Sequence, residues 1–320
     1  MRKFWILFLL LITPVILFSQ DEPPEMPDGY SSMTMMKIAY FFGSLDLIEK
    51  DFSVPDDVEE YKDIVYKTID STHLKLDIYH KKGITGKAPV LLFIHGGGWR
   101  KGDKHDYLRY LVDFAHKGYI TATVQYRFVN KVKLPAQILD VKAAVRWLRK
   151  NADTYYIDKD NIAVIGGSAG GHLSLMIGFT SDIAEFDKED SNSSISSRVQ
   201  AVVDLYGPAD LTTEYAREHK TVTGAIGKSY AEAPELYREL SPVTYITKDD
   251  PPTLIFHGTI DDLVPVEQSD TLKVMLEKAG VPVEYHRLEG WPHTMDLAVE
   301  VNEYCQYYMD KFFEKYLHKN

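Results

Sequence analysis

The chain of 320 residues holds a single cysteine, Cys305. One thiol excludes an intrachain disulfide and any zinc site built on several cysteines, so stability has to come from a packed core. Positive charge is also scarce. Against 47 Asp and Glu stand 36 Lys and Arg, a formal net charge of −11, which argues against nucleic-acid binding because phosphate contacts demand a basic surface. There is no internal repeat and no low-complexity tract. Apolar residues make up 45% and aromatics 12% of the chain, the composition of a packed globular protein.

Only one long apolar run is present, FWILFLLLITPVILF at 4–18. It falls short of the roughly 20 residues a membrane-spanning helix needs. Arg2 and Lys3 precede it, and Ser19-Gln20 leads into the acidic, proline-rich DEPPEMPDG at 21–29. That order of basic, apolar and small residues predicts a signal peptide over 1–19, hence a secreted or periplasmic protein with no stable membrane insertion. Residues 20–60 then form an N-terminal extension or cap, whose semi-apolar stretch Met33 to Ile48 suits a helix lying over the domain. The main domain spans 61–320.

From Tyr61 the pattern is regular. Alternating apolar and polar residues at 63–70 and 73–80 predict a two-stranded edge hairpin. The continuous apolar run at 89–96 reads as a fully buried strand and 119–127 as a second buried one, with a third strand at 161–167 and further strands at 199–207, 251–258 and 281–290. Helical periodicity appears at 104–118, 136–153, 168–179, 268–280 and 297–319. Strands alternating with helices predict a mostly parallel central sheet with helices on both faces, and function in such sheets gathers at the carboxyl ends of the strands. The stretch 209–245 breaks the rhythm with short helical pieces, where a lid-like insertion fits.

Two glycine-rich strand ends carry the chemistry. Gly166-Gly167-Ser168-Ala169-Gly170 fits G-x-S-x-G between a buried strand and a helix, the sharp turn that exposes a serine nucleophile above the sheet. A phosphate-binding turn would want a Lys or a G-x-G-x-x-G pattern, and neither is present. His95-Gly96-Gly97-Gly98-Trp99 ends an earlier strand, and its bare backbone suits an oxyanion hole. A hydroxyl nucleophile needs a base and the base an orienting carboxylate. His293, in the loop after the last strand, is the expected base. His95, His172 and His257 suit structural roles. Asp261 is the expected carboxylate and Asp262 the alternative, with Asp204 and Asp210 one strand too early.

The order Ser168, Asp261, His293, together with HGGGW and GGSAGGH, resembles the α/β-hydrolase superfamily, in particular its hormone-sensitive-lipase-like and secreted feruloyl/acetyl-xylan-esterase-like carboxylesterases. The resemblance runs from about Tyr61 to the C-terminus and includes DVKAAVRWL at 140–148, Ser241-Pro242 and HGTIDDLVP. It implies the α/β-hydrolase fold, a Ser168–His293–Asp261 triad, and oxyanion donors at Gly97, Gly98 and Ala169. Gly-Trp-Pro-His departs from the small residue and glycine that many relatives carry before the histidine. The implied activity is a secreted serine carboxylesterase acting on short-chain or aromatic esters, such as acetyl or feruloyl groups on polysaccharide, with no metal or cofactor. Trp99 and Trp291, near the oxyanion glycines and the base, are expected to contact substrate. The rival readings are a lipase, a prolyl-oligopeptidase-like peptidase, and a non-catalytic binding protein on the same fold.

Overall fold

The computed structural model describes residues 22–49, 52–181, 183–187 and 192–317; the stretch read as a signal peptide lies outside them. The described helices are α1 (Met33–Phe41), α2 (Leu108–His116), α3 (Ala136–Lys150), α4 (Ala169–Phe179), α5 (Glu214–Glu218), α6 (Lys220–Ile226), α7 (Pro234–Glu239), α8 (Glu267–Ala279) and α9 (Val299–Tyr316). The strands are β1 (Val58–Ile69), β2 (Thr72–Lys81), β3 (Ala88–Ile94), β4 (Ile120–Val124), β5 (Ile157–Gly167), β6 (Ala201–Leu205), β7 (Thr253–Gly258) and β8 (Val283–Leu288).

They form one sheet in the order β1-β2-β4-β3-β5-β6-β7-β8. β1 and β2 pair antiparallel at one edge, β2 joins β4 antiparallel, and every pairing from β4 to β8 is parallel. β3, β4, β6 and β7 are buried along their whole length, because helices cover both faces, which is why they are predominantly apolar. The strand period of two divides the core in half. Val90, Leu92 and Ile94 of β3 enter the cluster packed against α3 and α4, while Leu91 and Phe93 enter the one beneath α2 and α9.

α2 begins four residues later than its periodicity suggests. Lys104 is buried and its Nζ lies 2.6 Å from Oδ2 of the buried Asp77, which ties 104 to β2 and leaves 104–107 as turn. No residue of α1 is buried. Its flanks dock instead: Leu45 is buried, and the backbone at 46–48 pairs with 297–299 through Val299 N–H to Asp46 O and Ile48 N–H to Leu297 O.

Candidate active site

Ser168 sits between β5 and α4 with φ 57° and ψ −120°, backbone angles that a non-glycine residue holds only when its surroundings enforce them. The enforcement is visible. A Cβ on Gly166 would lie 2.4 Å from the Gly170 carbonyl, and one on Gly170 would lie 2.0 Å from Ile94 O, so strand, turn and helix close only with glycine at both places. Ser168 N–H donates to Leu205 O at 2.8 Å and its carbonyl accepts from His172 N–H at 3.0 Å.

His293 and Asp261 are joined by a 2.6 Å hydrogen bond from Nδ1–H to Oδ2. Since a carboxylate only accepts, Nδ1 carries the proton and Nε2 is left as the basic nitrogen. Oδ1 of Asp261 accepts from the N–H groups of Leu263 and Val264, both at 2.9 Å, and His257 Nε2 stands 3.2 Å from Oδ2. His257 also faces Val264 O through Nε2 and Ser269 Oγ through Nδ1, so its Nε2 bears the proton. Burial pushes the Asp261 carboxyl up, but the hydrogen bonds from His257, His293 and Val264 outweigh it and hold the pKa well below the usual carboxylate range. Asp262 is exposed. Of the two alternatives left by spacing, only Asp261 reaches the base.

Gly97 and Gly98 have φ of +98° and +61°, and Ala169 opens α4. Among the described residues, no backbone carbonyl accepts from the N–H of any of the three. They face one cleft of about 1160 Å³ that Ser168 and His293 also line, with α5 and α6 of the 209–245 stretch supplying Tyr215, Thr221 and Val222, the residue between them supplying His219, and the N-terminal segment supplying Ile48 and Phe52. His95 is held in the turn by its stack on Tyr126, with ring centroids 4.4 Å apart. His172 is buried against Leu240 O at 2.8 Å, and burial lowers its pKa to about 4. Asp204 lies beneath the turn, its Oδ1 accepting from Gly207 N–H at 2.9 Å, and burial raises its pKa to about 7. Asp210 accepts from Thr212 and stays in its own loop.

The two tryptophans part company. Trp99 lines the cleft, its ring edge-on to His172. Trp291 does not: it is fully buried, donates from Nε1 to Pro27 O at 3.0 Å and packs edge-on against Tyr30. The expectation of substrate contact at Trp291 is therefore corrected. Its ring is taken up by the N-terminal segment, whereas His293 lines the cleft.

Sequence reasoning missed the pair beside the base. Tyr206, at the end of β6, lies with its ring 4.7 Å from that of His293 and donates to Asp296 Oδ1 at 2.5 Å. Burial raises the Asp296 pKa. Position alone could have flagged both, Tyr206 at a strand's carboxyl end and Asp296 three residues after the base.

Residues 76–276, more than half of the chain, match the BD-FAE family model. The chain is 36% identical to Esterase LipC of Mycobacterium tuberculosis over 69% of its own length and 57% of LipC, and 28% identical to versiconal hemiacetal acetate esterase of Dothistroma septosporum over 72% and 73%. It thus spans little more than half of LipC, as it does of LipM of the same organism, at 53%. Among solved structures, a carbohydrate esterase from gut microbiota superposes with a TM-score of 0.71 at 27% identity, covering 84% of this chain and 99% of that one. Esterase Est2 of the Planctomycetes species Thermogutta terrifontis gives 0.70 at 26%, covering 82% and 94%. Strand order, serine turn and these likenesses define an α/β-hydrolase fold, and the chain belongs to the BD-FAE family.

Proposed function

We propose that this protein is an exported serine carboxylesterase that hydrolyses short-chain or aromatic esters, with acetyl or feruloyl groups on polysaccharide as its natural class of target. The observation that carries the reading is the His293–Asp261 hydrogen bond at a cleft that also holds the strained Ser168 and three amides that no backbone carbonyl among the described residues takes up. Ser168 Oγ attacks the ester carbonyl while His293 Nε2 takes its proton, and Asp261 steadies the imidazolium that forms. The Gly97, Gly98 and Ala169 N–H groups receive the oxyanion. His293 returns the proton to the departing alcohol, and water activated by the same nitrogen then cleaves the acyl-enzyme.

The short-acyl reading is supported by Est2, which has been solved with butyrate and with propionate bound. The saccharide reading is supported by the gut-microbiota carbohydrate esterase and by a bifunctional GH43-CE protein of Bacteroides eggerthii, 29% identical with a TM-score of 0.72. A second reading, a lipase working at interfaces, has one observation in its favour: Phe41 and Phe42 of the N-terminal segment are 82% and 77% exposed. Aryl esters of graded chain length, methyl ferulate and acetylated xylan, offered to purified protein, separate the two. Fastest turnover on acetyl, butyryl or feruloyl esters supports the esterase, and a maximum above about ten carbons replaces it with the lipase. A mature N-terminus near Gln20 by mass spectrometry supports export.

A further inference from the structure

The loop that follows the oxyanion glycines carries two adjacent cations. Arg100 and Lys101 are exposed and line the cleft, and among the described residues neither side chain enters an ion pair or a hydrogen bond. By contrast Arg109, in the same cleft, is held by Asp113 at 2.7 Å, and Lys104 by Asp77. Arg100 Nε lies 4.0 Å from where a Cβ on Gly98 would stand, and the same point is 2.6 Å from the Thr221 methyl. The guanidinium therefore sits where the oxyanion loop meets α6. His219, which precedes α6, faces it there: its Nδ1 is buried with no hydrogen-bond partner among the described residues. Burial and then the charge of Arg100 hold the His219 pKa below the ordinary histidine value.

Four acidic residues, Glu49, Asp103, Asp106 and Asp296, line the same cleft, but among the described residues none forms an ion pair with Arg100 or Lys101; Asp103 accepts instead from His105 N–H, Asp106 from Asp103 N–H, and Asp296 from Tyr206. A chain with net charge −11 repels anions at long range, so two unpaired cations beside the oxyanion loop are a local exception to that field, suited to a negative group carried by the substrate. Guanidinium binds a carboxylate through two parallel N–H bonds.

We propose that Arg100, Lys101 and His219 form an anion subsite next to the oxyanion loop, and that esters bearing a carboxylate close to the scissile bond are the preferred substrates. The proposal rests on the esterase reading above and narrows it. Two matched pairs test it. 4-Nitrophenyl hemisuccinate against 4-nitrophenyl butyrate places the charge on the acyl side, and acetylsalicylate against phenyl acetate places it on the alcohol side. In one of the pairs the wild type should favour the anionic ester in kcat/KM, mainly through KM, and Arg100→Gln should lower that anionic-to-neutral ratio about tenfold. A neutral preference in both pairs, or a ratio unmoved by Arg100→Gln, overturns the subsite and leaves the esterase standing. If no ester turned over, the esterase reading would fall instead, and calorimetric titration of glutarate into wild type and Arg100→Gln would still decide: tenfold weaker binding to the variant supports the subsite, equal or absent binding removes it.

Discussion

At the scale of single residues, the site separates groups whose value is chemical from groups whose value is positional. Ser168→Ala should lower kcat by at least about 10³-fold with the fold intact, because it deletes the nucleophile and leaves oxyanion binding in place; near wild-type hydrolysis would end the proposed mechanism. Asp261→Asn should lower kcat by about 10² to 10⁴, since an amide cannot fix the His293 proton on Nδ1, whereas Asp262→Asn, at an exposed position, should change activity less than about twofold. Asp204 makes a prediction about pH. Its folded pKa of about 7 lies above its unfolded value near 4, so the folded state holds the proton longer and stability falls as pH rises between those two values. Asparagine imitates the protonated acid, so Asp204→Asn should flatten that fall, read as the change in Tm between pH 5 and pH 7.5. A steeper fall in the variant would contradict the assignment. That Ser168 and His293 line one cleft and that Asp261 bonds His293 was legible in the sequence, because chemistry at strand ends demands particular residue types in order. Trp291 was misread because nearness in sequence to His293 carries no information about which side of a loop a ring faces.

At the scale of elements, close approach explains what the glycines do. α4 can lie against β3 only because Gly170 has no side chain, its missing Cβ falling 2.0 Å from a backbone oxygen. Gly170→Ala should therefore cost more than about 3 kcal/mol and be recovered mostly as insoluble protein. Gly224, inside α6, would place a Cβ with nothing within 4 Å, so Gly224→Ala should raise stability by about 0.5–1 kcal/mol through helix propensity alone, seen as a higher Tm. The same contrast measures what periodicity reveals. The buried strands were readable from their predominantly apolar segments, and the 209–245 stretch stood out by breaking the alternation. The start of α2 was not readable, because it is set by Lys104 reaching Asp77 on β2, a partner 27 residues away that no local pattern announces.

At the scale of the whole molecule, the N-terminal segment holds the far end of the chain. Tyr30 N–H donates to Gly290 O at 2.9 Å, Pro27 O accepts from Trp291, and a Cβ on Gly29 would lie 2.0 Å from Glu289 O. Further along, 46–48 pairs with 297–299. Both ends of the loop that carries His293 are thus strapped by residues more than 240 positions earlier, which composition and periodicity could describe only as an extension or cap. Removing residues 1–49 would uncover Trp291, which contacts Pro27 and Tyr30, and free this loop while leaving the eight-stranded sheet unchanged. The base would then spend less time against Asp261, and geometry lost at the base costs turnover more than binding. The truncated protein should keep the far-ultraviolet circular dichroism of the full chain, show red-shifted tryptophan emission, and lose at least about tenfold in kcat with a smaller change in KM. Trp291→Phe in the full chain keeps the ring packing on Tyr30 but deletes the hydrogen bond to Pro27, so it should give the same pattern more weakly. Full kcat after truncation would show that the sheet alone fixes His293, and the strap would then have no part in catalysis.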